Sequence, residues 1–209
     1  MHRKLILFYS VLIVLFTSHI QSLDLVIDGK ITESEWSDAR EITKYYESLP
    51  FTLNDASGSQ KVLVLEDEKG IYLGFISKQP NESIRTQKHQ RDDEMANADM
   101  VGVSIDFDGD GLLSYGFSIS AGGSILDNVV RNENEVNYDW DSDWGHGVSI
   151  DGDVWYAEMF IPWSVAPMKA QNGSKRKVKL SFYRWLRGEF KVYTTCLLYT
   201  SDAADDIAC

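Results

Sequence analysis

Between residues 131 and 147 the chain reads RNENEVNYDWDSDWGHG, which sets Tyr138, Trp140 and Trp144 among the acids Asp139, Asp141 and Asp143. Aromatic faces beside carboxylates suit a sugar, whose C–H face stacks on a ring while its hydroxyls donate to oxygens. The same composition also suits a core lid, with a tryptophan closing one end of the fold and the acids solvated. A second chemistry is carried by Asp106, Asp108 and Asp110 followed by Gly111, the D-x-D-x-D-G opening of a calcium loop. The glutamate that an EF-hand needs at its twelfth loop position is here Phe117, so a calcium ion at these aspartates would sit in a hairpin turn. Asp and Gly also make a good turn with no ion at all.

The elements that must position these groups read as strands. Residues 101–107 and 113–119 alternate apolar and small or polar around the turn DGDG, the pattern of a β-hairpin. Every apolar residue in the two runs is odd-numbered, so pairing Val101 with Ile119 and Phe107 with Leu113 puts all of them on one face, with Gly102, Ser104, Gly116 and Ser118 on the other. Further hairpins are predicted at 61–65 with 71–77, at 148–150 with 154–161, and at 177–186 with 190–194; strands are also predicted at 23–27 and 124–130. The near-continuous apolar character of 61–65 and 71–77 predicts strands covered on both faces. Thr32 and Glu35 predict a capping box that starts one helical turn, with Trp36 as a core plug. Residues 78–97 form a long polar segment, and loops of that length in a compact domain are commonly functional. About ten strands and one helical turn define an all-β antiparallel sandwich in a single domain over residues 23–194.

The ends are different in kind. Residues 1–22 run basic, apolar, then small, as a secretory signal peptide does, with cleavage expected after Ser22. Residues 195–209 break the last strand pattern; the stretch from Cys196 resembles translated sequencing-adapter sequence, so the segment is expected to be non-native. It holds both cysteines of the chain. The formal charge of −12, from 20 basic and 32 acidic residues, makes nucleic acid a poor partner, since phosphate would be repelled. Cations and neutral polymers remain open.

Several segments carry a family resemblance: IDGKITESEW, IYLGF, RDDEMANADMVGVSIDFD, the stretch from Trp140 to Trp144, WYAEMFIPW and SFYRWLRGEF. In order and spacing they resemble the family 9 carbohydrate-binding modules, over residues 25 to about 194. The resemblance is strongest to those found at the N-terminus of bacterial proteins that continue into an outer-membrane β-barrel. It implies a jelly-roll-like sandwich that binds a polysaccharide or oligosaccharide, is often calcium-stabilised, and belongs to a larger secreted protein of the periplasm or outer membrane of a Gram-negative bacterium. Arg91, Asp99, Trp140 and Trp144 match the barrel-linked members. The sugar clamp of the archetype does not carry over: its first tryptophan, three residues before Asp99, is Ala96, its strand arginine is Ser118, and its second tryptophan falls where the tail stands.

The expected function is therefore non-catalytic sugar binding, with Trp140, Trp144, Tyr138, Asp141, Arg91 and Asp99 as candidate contacts and Asp106, Asp108 and Asp110 as candidate calcium ligands. The alternatives are a docking domain for a downstream barrel and an accessory part of a glycoside hydrolase. Carboxylate pairs are abundant enough for hydrolase chemistry, but no nucleophile motif accompanies them. A haem-binding sandwich is a further reading, with His89 and His146 as the histidines available outside the leader.

Overall fold

A computed structural model describes residues 23–93, 95–132, 135–170 and 177–195. The predicted signal peptide and, from Cys196 onward, the segment expected to be non-native lie outside the described residues. Twelve strands form two antiparallel sheets: β1 (Arg40–Ile42), β2 (Tyr46–Leu49), β3 (Gln60–Glu66), β4 (Gly70–Lys78), β5 (Met100–Asp106), β6 (Leu113–Ser120), β7 (Ile125–Arg131), β8 (Glu135–Asn137), β9 (Gly145–Asp151), β10 (Val154–Pro162), β11 (Lys179–Leu186) and β12 (Lys191–Thr194). One sheet has the order β1-β3-β4-β10-β9 and the other β2-β12-β11-β5-β6-β7-β8. The strands beyond the predicted ten are short pieces such as β1, β2 and β8, whose three or four residues are too few to show a period.

The β5–β6 hairpin lies at the centre of the larger sheet, with Val101 paired to Ile119, Val103 to Phe117 and Ile105 to Tyr115. That is the predicted register. Val103, Ile105, Phe117 and Ile119 are fully buried between the sheets, where they meet Phe75, Trp155, Ala157, Met159 and Ile161 from the smaller sheet. The small residues of the outer face have a use of their own. A Cβ on Gly102 would come within 2.5 Å of the Tyr183 ring, so glycine there lets Tyr183 lie across the sheet and bond Ser118.

On the outer face of the smaller sheet, Trp36, Leu63 and Tyr72 form a second apolar cluster with Leu25, Ile27, Ile31 and Phe160. This explains why β4 is buried on both faces. The predicted strand at 23–27 is extended chain without strand pairing, docked on this face by side chains. The helical turn is a 3-10 turn, Ser34–Asp38, with Trp36 buried, and no side chain caps it. The predicted capping box does not form, because the Thr32 N–H bonds Glu33 instead.

Glu158 anchors the N-terminal segment. Its strand neighbours on either side are Gly74 and Gly147, which leave a socket in the sheet. Into it come the N–H groups of Asp28 and Gly29, which donate to one Glu158 oxygen at 3.0 and 2.8 Å, and the Trp36 indole, which donates to the other at 3.2 Å. A Cβ on Gly147 would lie 2.5 Å from the Gly29 nitrogen, so the contact requires glycine.

Burial pushes the Glu158 carboxyl up to about 7. A group whose pKa is higher folded than unfolded binds its proton more tightly in the folded state. Its stabilisation is complete below the ordinary glutamate pKa and is lost as pH rises through about 7. Unfolding free energies measured by urea titration at pH 5 and pH 8 should therefore show a fall with rising pH. The Glu158→Gln variant should lack that part of the slope; an unchanged slope in the variant would contradict it.

Candidate functional site

The aromatic loop is placed against the core. The Trp144 side chain, 5% exposed, meets Phe117 edge-on at 5.6 Å and His146 at 5.2 Å. Trp140 is half-buried, 5.0 Å from the Tyr115 ring and 5.9 Å from Phe117. This corrects the expectation of two open rings: Trp144 has no free face for a sugar, and Trp140 closes the sandwich end over β6. Tyr138 is half-buried.

Asp141 and Arg91 meet in a knot under the same loop. On β7, Ile125, Asp127 and Val129 pair with the inward-facing Ile119, Phe117 and Tyr115, so an acid occupies a core-facing position. The Asp127 side chain is fully buried, and the Arg91 guanidinium reaches its two oxygens at 2.8 and 2.7 Å. Arg91 also pairs with Asp141 at 2.7 Å and bonds the Ser142 carbonyl at 2.8 Å, while the Ser142 N–H donates to Asp127. Carboxylate oxygens of Asp92, Asp127 and Asp141 come within 4.8 Å of one another around that guanidinium. Arg91 and Asp141 thus tie the aromatic loop and the polar segment 78–97 to the sheet.

The aspartate turn is closed by protein donors. Asp106 accepts the N–H groups of Asp108, Gly109 and Gly111 at 3.1, 2.7 and 2.7 Å. The Lys169 ammonium lies 2.6 Å from Asp110 and 3.9 Å from Asp108, and the Asp110 carboxyl is held below its ordinary range by that lysine. As arranged, the three acids do not converge on one point, and Lys169 takes the place beside Asp108 and Asp110 that a cation would need. His89 and His146 are each engaged locally, through Nδ1, with the carbonyls of Gln90 and Trp144.

Among the described residues, an open hollow lies elsewhere, around Asp99. Asp99 is fully buried and accepts the Gln79 amide at 2.8 Å, the Arg85 N–H at 3.1 Å and the Arg187 N–H at 2.8 Å. One carboxylate thereby ties the segment after β4 to the turn between β11 and β12. Gln79 in turn accepts Arg184 at 2.8 Å, a fully buried arginine whose guanidinium also donates to the carbonyls of Ser59 and Lys78. Burial lowers Arg184 to about 10, against the opposing field of Asp99. Asp99 is a positioning residue with both oxygens in use, not an open contact.

Two adjoining hollows of about 290 and 340 Å³ lie above this floor and share Arg85. Ser83, Ile84 and Gly188 line the first; Met95, Asn97, Arg187 and Phe190 line the second. Arg85 donates to the Asn97 side chain at 2.9 Å, and a Cβ on Gly188 would come within 2.8 Å of its Nε, so glycine at 188 gives the guanidinium its room. The Arg187 guanidinium stacks on the Trp185 ring at 3.6 Å. At the rim, Phe190 is 74% exposed with φ +52°, and Met95 is 81% exposed. The pairing of Leu49 with Val192 brings the exposed Leu49 and Phe51 to the same end of the sheet.

No protein-family model and no curated protein matches the chain. Its fold does have relatives among solved structures. A carbohydrate-binding module of family 9 from Caldicellulosiruptor kristjanssonii, in complex with glucose, superposes with a TM-score of 0.53 at 15% identity, over 84% of this chain and 83% of that one. The cellotriose complex of a module of that family and organism gives 0.51 at 16% identity, over 82% and 79%. A putative carbohydrate-binding protein from Bacteroides uniformis gives 0.54 at 14% identity, over 73% and 76%. The domain has the fold of the family 9 carbohydrate-binding modules.

Proposed function

We propose that the domain is a non-catalytic module that holds an oligosaccharide or polysaccharide in the cleft between Arg85 and Phe190. The observation that carries this reading is Phe190. A left-handed backbone costs an L-residue roughly 1–2 kcal/mol, and glycine would avoid that cost at a hairpin turn. Instead the turn carries a large apolar ring, 74% exposed, at the rim of a cleft. A strained, exposed aromatic beside polar groups is what a sugar face needs, with Asn97 and the two arginines placed to bond hydroxyls. The solved structures of the same fold hold glucose and cellotriose. A secreted protein of the periplasm or outer membrane, continuing into a barrel, is the setting that the leader and the sequence resemblance support.

Phe190→Gly should separate binding from folding. On a glycan array and by calorimetry, the variant should lose at least about tenfold in affinity for any saccharide that the wild type retains. Its melting temperature should stay the same or rise, because glycine relieves the left-handed conformation. Equal binding by variant and wild type would remove Phe190 from the site. A wild type that retains no glycan would favour the docking reading instead.

A further inference from the structure

The reading above leaves the chemical class of the saccharide open, and Arg85 bears on it. Basic groups are the minority in this chain, 20 against 32 acids. Other arginines have internal uses: Arg91 is wrapped by three carboxylates, Arg184 is buried against carbonyls, and Arg187 is stacked on Trp185. Arg85 is exposed and makes no ion pair among the described residues; the bond from its guanidinium goes to the neutral Asn97 oxygen. Yet it is held in place. Its backbone N–H is fixed by Asp99, its Nη1 by Asn97, and its Nε passes over the bare backbone of Gly188.

A planar guanidinium that lines a cleft and gives its one side-chain bond to a neutral oxygen keeps further N–H groups with which to take a planar anion through two parallel bonds. Arg187 lines the same hollow, its backbone held by the second oxygen of Asp99. The apolar faces available there are Phe190 and Met95. Resting on the carbohydrate reading, we propose that the bound saccharide carries a carboxylate, as a uronic acid does, and that Arg85 receives it while Phe190 takes the face of the sugar ring. A carboxylate adds a second charge and a bidentate geometry to the bond that the guanidinium could give a hydroxyl, and gains both energy and geometric specificity. Glu82 and Glu189 line the first hollow together with Arg85, whereas the described lining of the second holds two arginines and no acid, so the carboxylate is received in the second; repulsion from acids farther off is screened beyond about 8 Å at physiological salt.

The test is calorimetry of the full chain with three probes: tri-galacturonate, a glucuronate oligomer and neutral cellotriose. At least one uronate should bind about tenfold more tightly than cellotriose. Arg85→Gln should remove that preference, weakening uronate binding at least about tenfold more than it weakens cellotriose binding, and Arg85→Lys, which keeps the charge but loses the fork, should restore only part of it. Melting curves of both variants should match the wild type, since Arg85 is exposed. Cellotriose bound as tightly as the uronates, or both classes lost equally in Arg85→Gln, would overturn the acidic-sugar inference and leave the carbohydrate reading standing. Binding of none of the three would overturn both.

Discussion

Val103→Asp should yield no soluble folded domain. Val103 is fully buried on β5, paired with Phe117 on one side and Phe182 on the other, in the strand that joins the two halves of the larger sheet. An aspartate there has no cation or donor in reach. It either ionises in an apolar interior or takes up a proton and remains unbonded, and either course costs several kcal/mol. Whole domains are stable by about 5–15 kcal/mol, so one such group can consume most of the margin. Soluble yield and a melting curve decide the matter; a normal transition at the wild-type temperature would mean that residue 103 does not face the core.

Arg91→Ala should be the most damaging change at a partly exposed position. It leaves Asp127, fully buried and aimed between the sheets, without the guanidinium that binds both its oxygens. Breaking a buried pair from one side costs about 3–5 kcal/mol. The Arg91 side chain is 37% exposed, so water offsets part of the loss and the effect should fall toward the lower end. Arg91→Lys should recover some of it, because a single ammonium cannot bond both Asp127 oxygens, Asp141 and the Ser142 carbonyl at once. Urea denaturation measures the difference. A loss below about 1 kcal/mol, the size of an ordinary surface pair, would show that the knot does not hold the loop down.

The sandwich was legible in the sequence because its signal is local. The alternation from Val101 to Ile119 around DGDG fixes which face is buried and which residues pair, and the structure keeps that register. The aromatic loop shows where local signals end. Tyr138, Trp140 and Trp144 among aspartates have the composition of a sugar platform, but whether a ring faces water or caps the core depends on β6, twenty or more residues away. The aspartate turn reads as a calcium loop until Lys169 is brought to it from residues far along the chain. Asp127 sat in plain view within an apolar alternation, and its inward position was the hint that a cation must come to it. The cleft itself was the least legible part. It exists because Asp99 ties the segment after β4 to Arg187, 88 residues from Asp99 in number, and because Phe190 has a positive φ where RGEF gave only an ordinary turn.

The most direct measurement is an amide NMR titration of the isotope-labelled chain with whichever of tri-galacturonate, the glucuronate oligomer and cellotriose it binds. If the saccharide sits in the cleft, the resonances of Arg85, Asn97, Gly188 and Phe190 shift together and saturate with one dissociation constant, while Trp140, Trp144 and their loop stay in place. Shifts confined to residues 138–144, with Arg85 and Phe190 unmoved, would put the ligand on the aromatic loop and contradict the cleft.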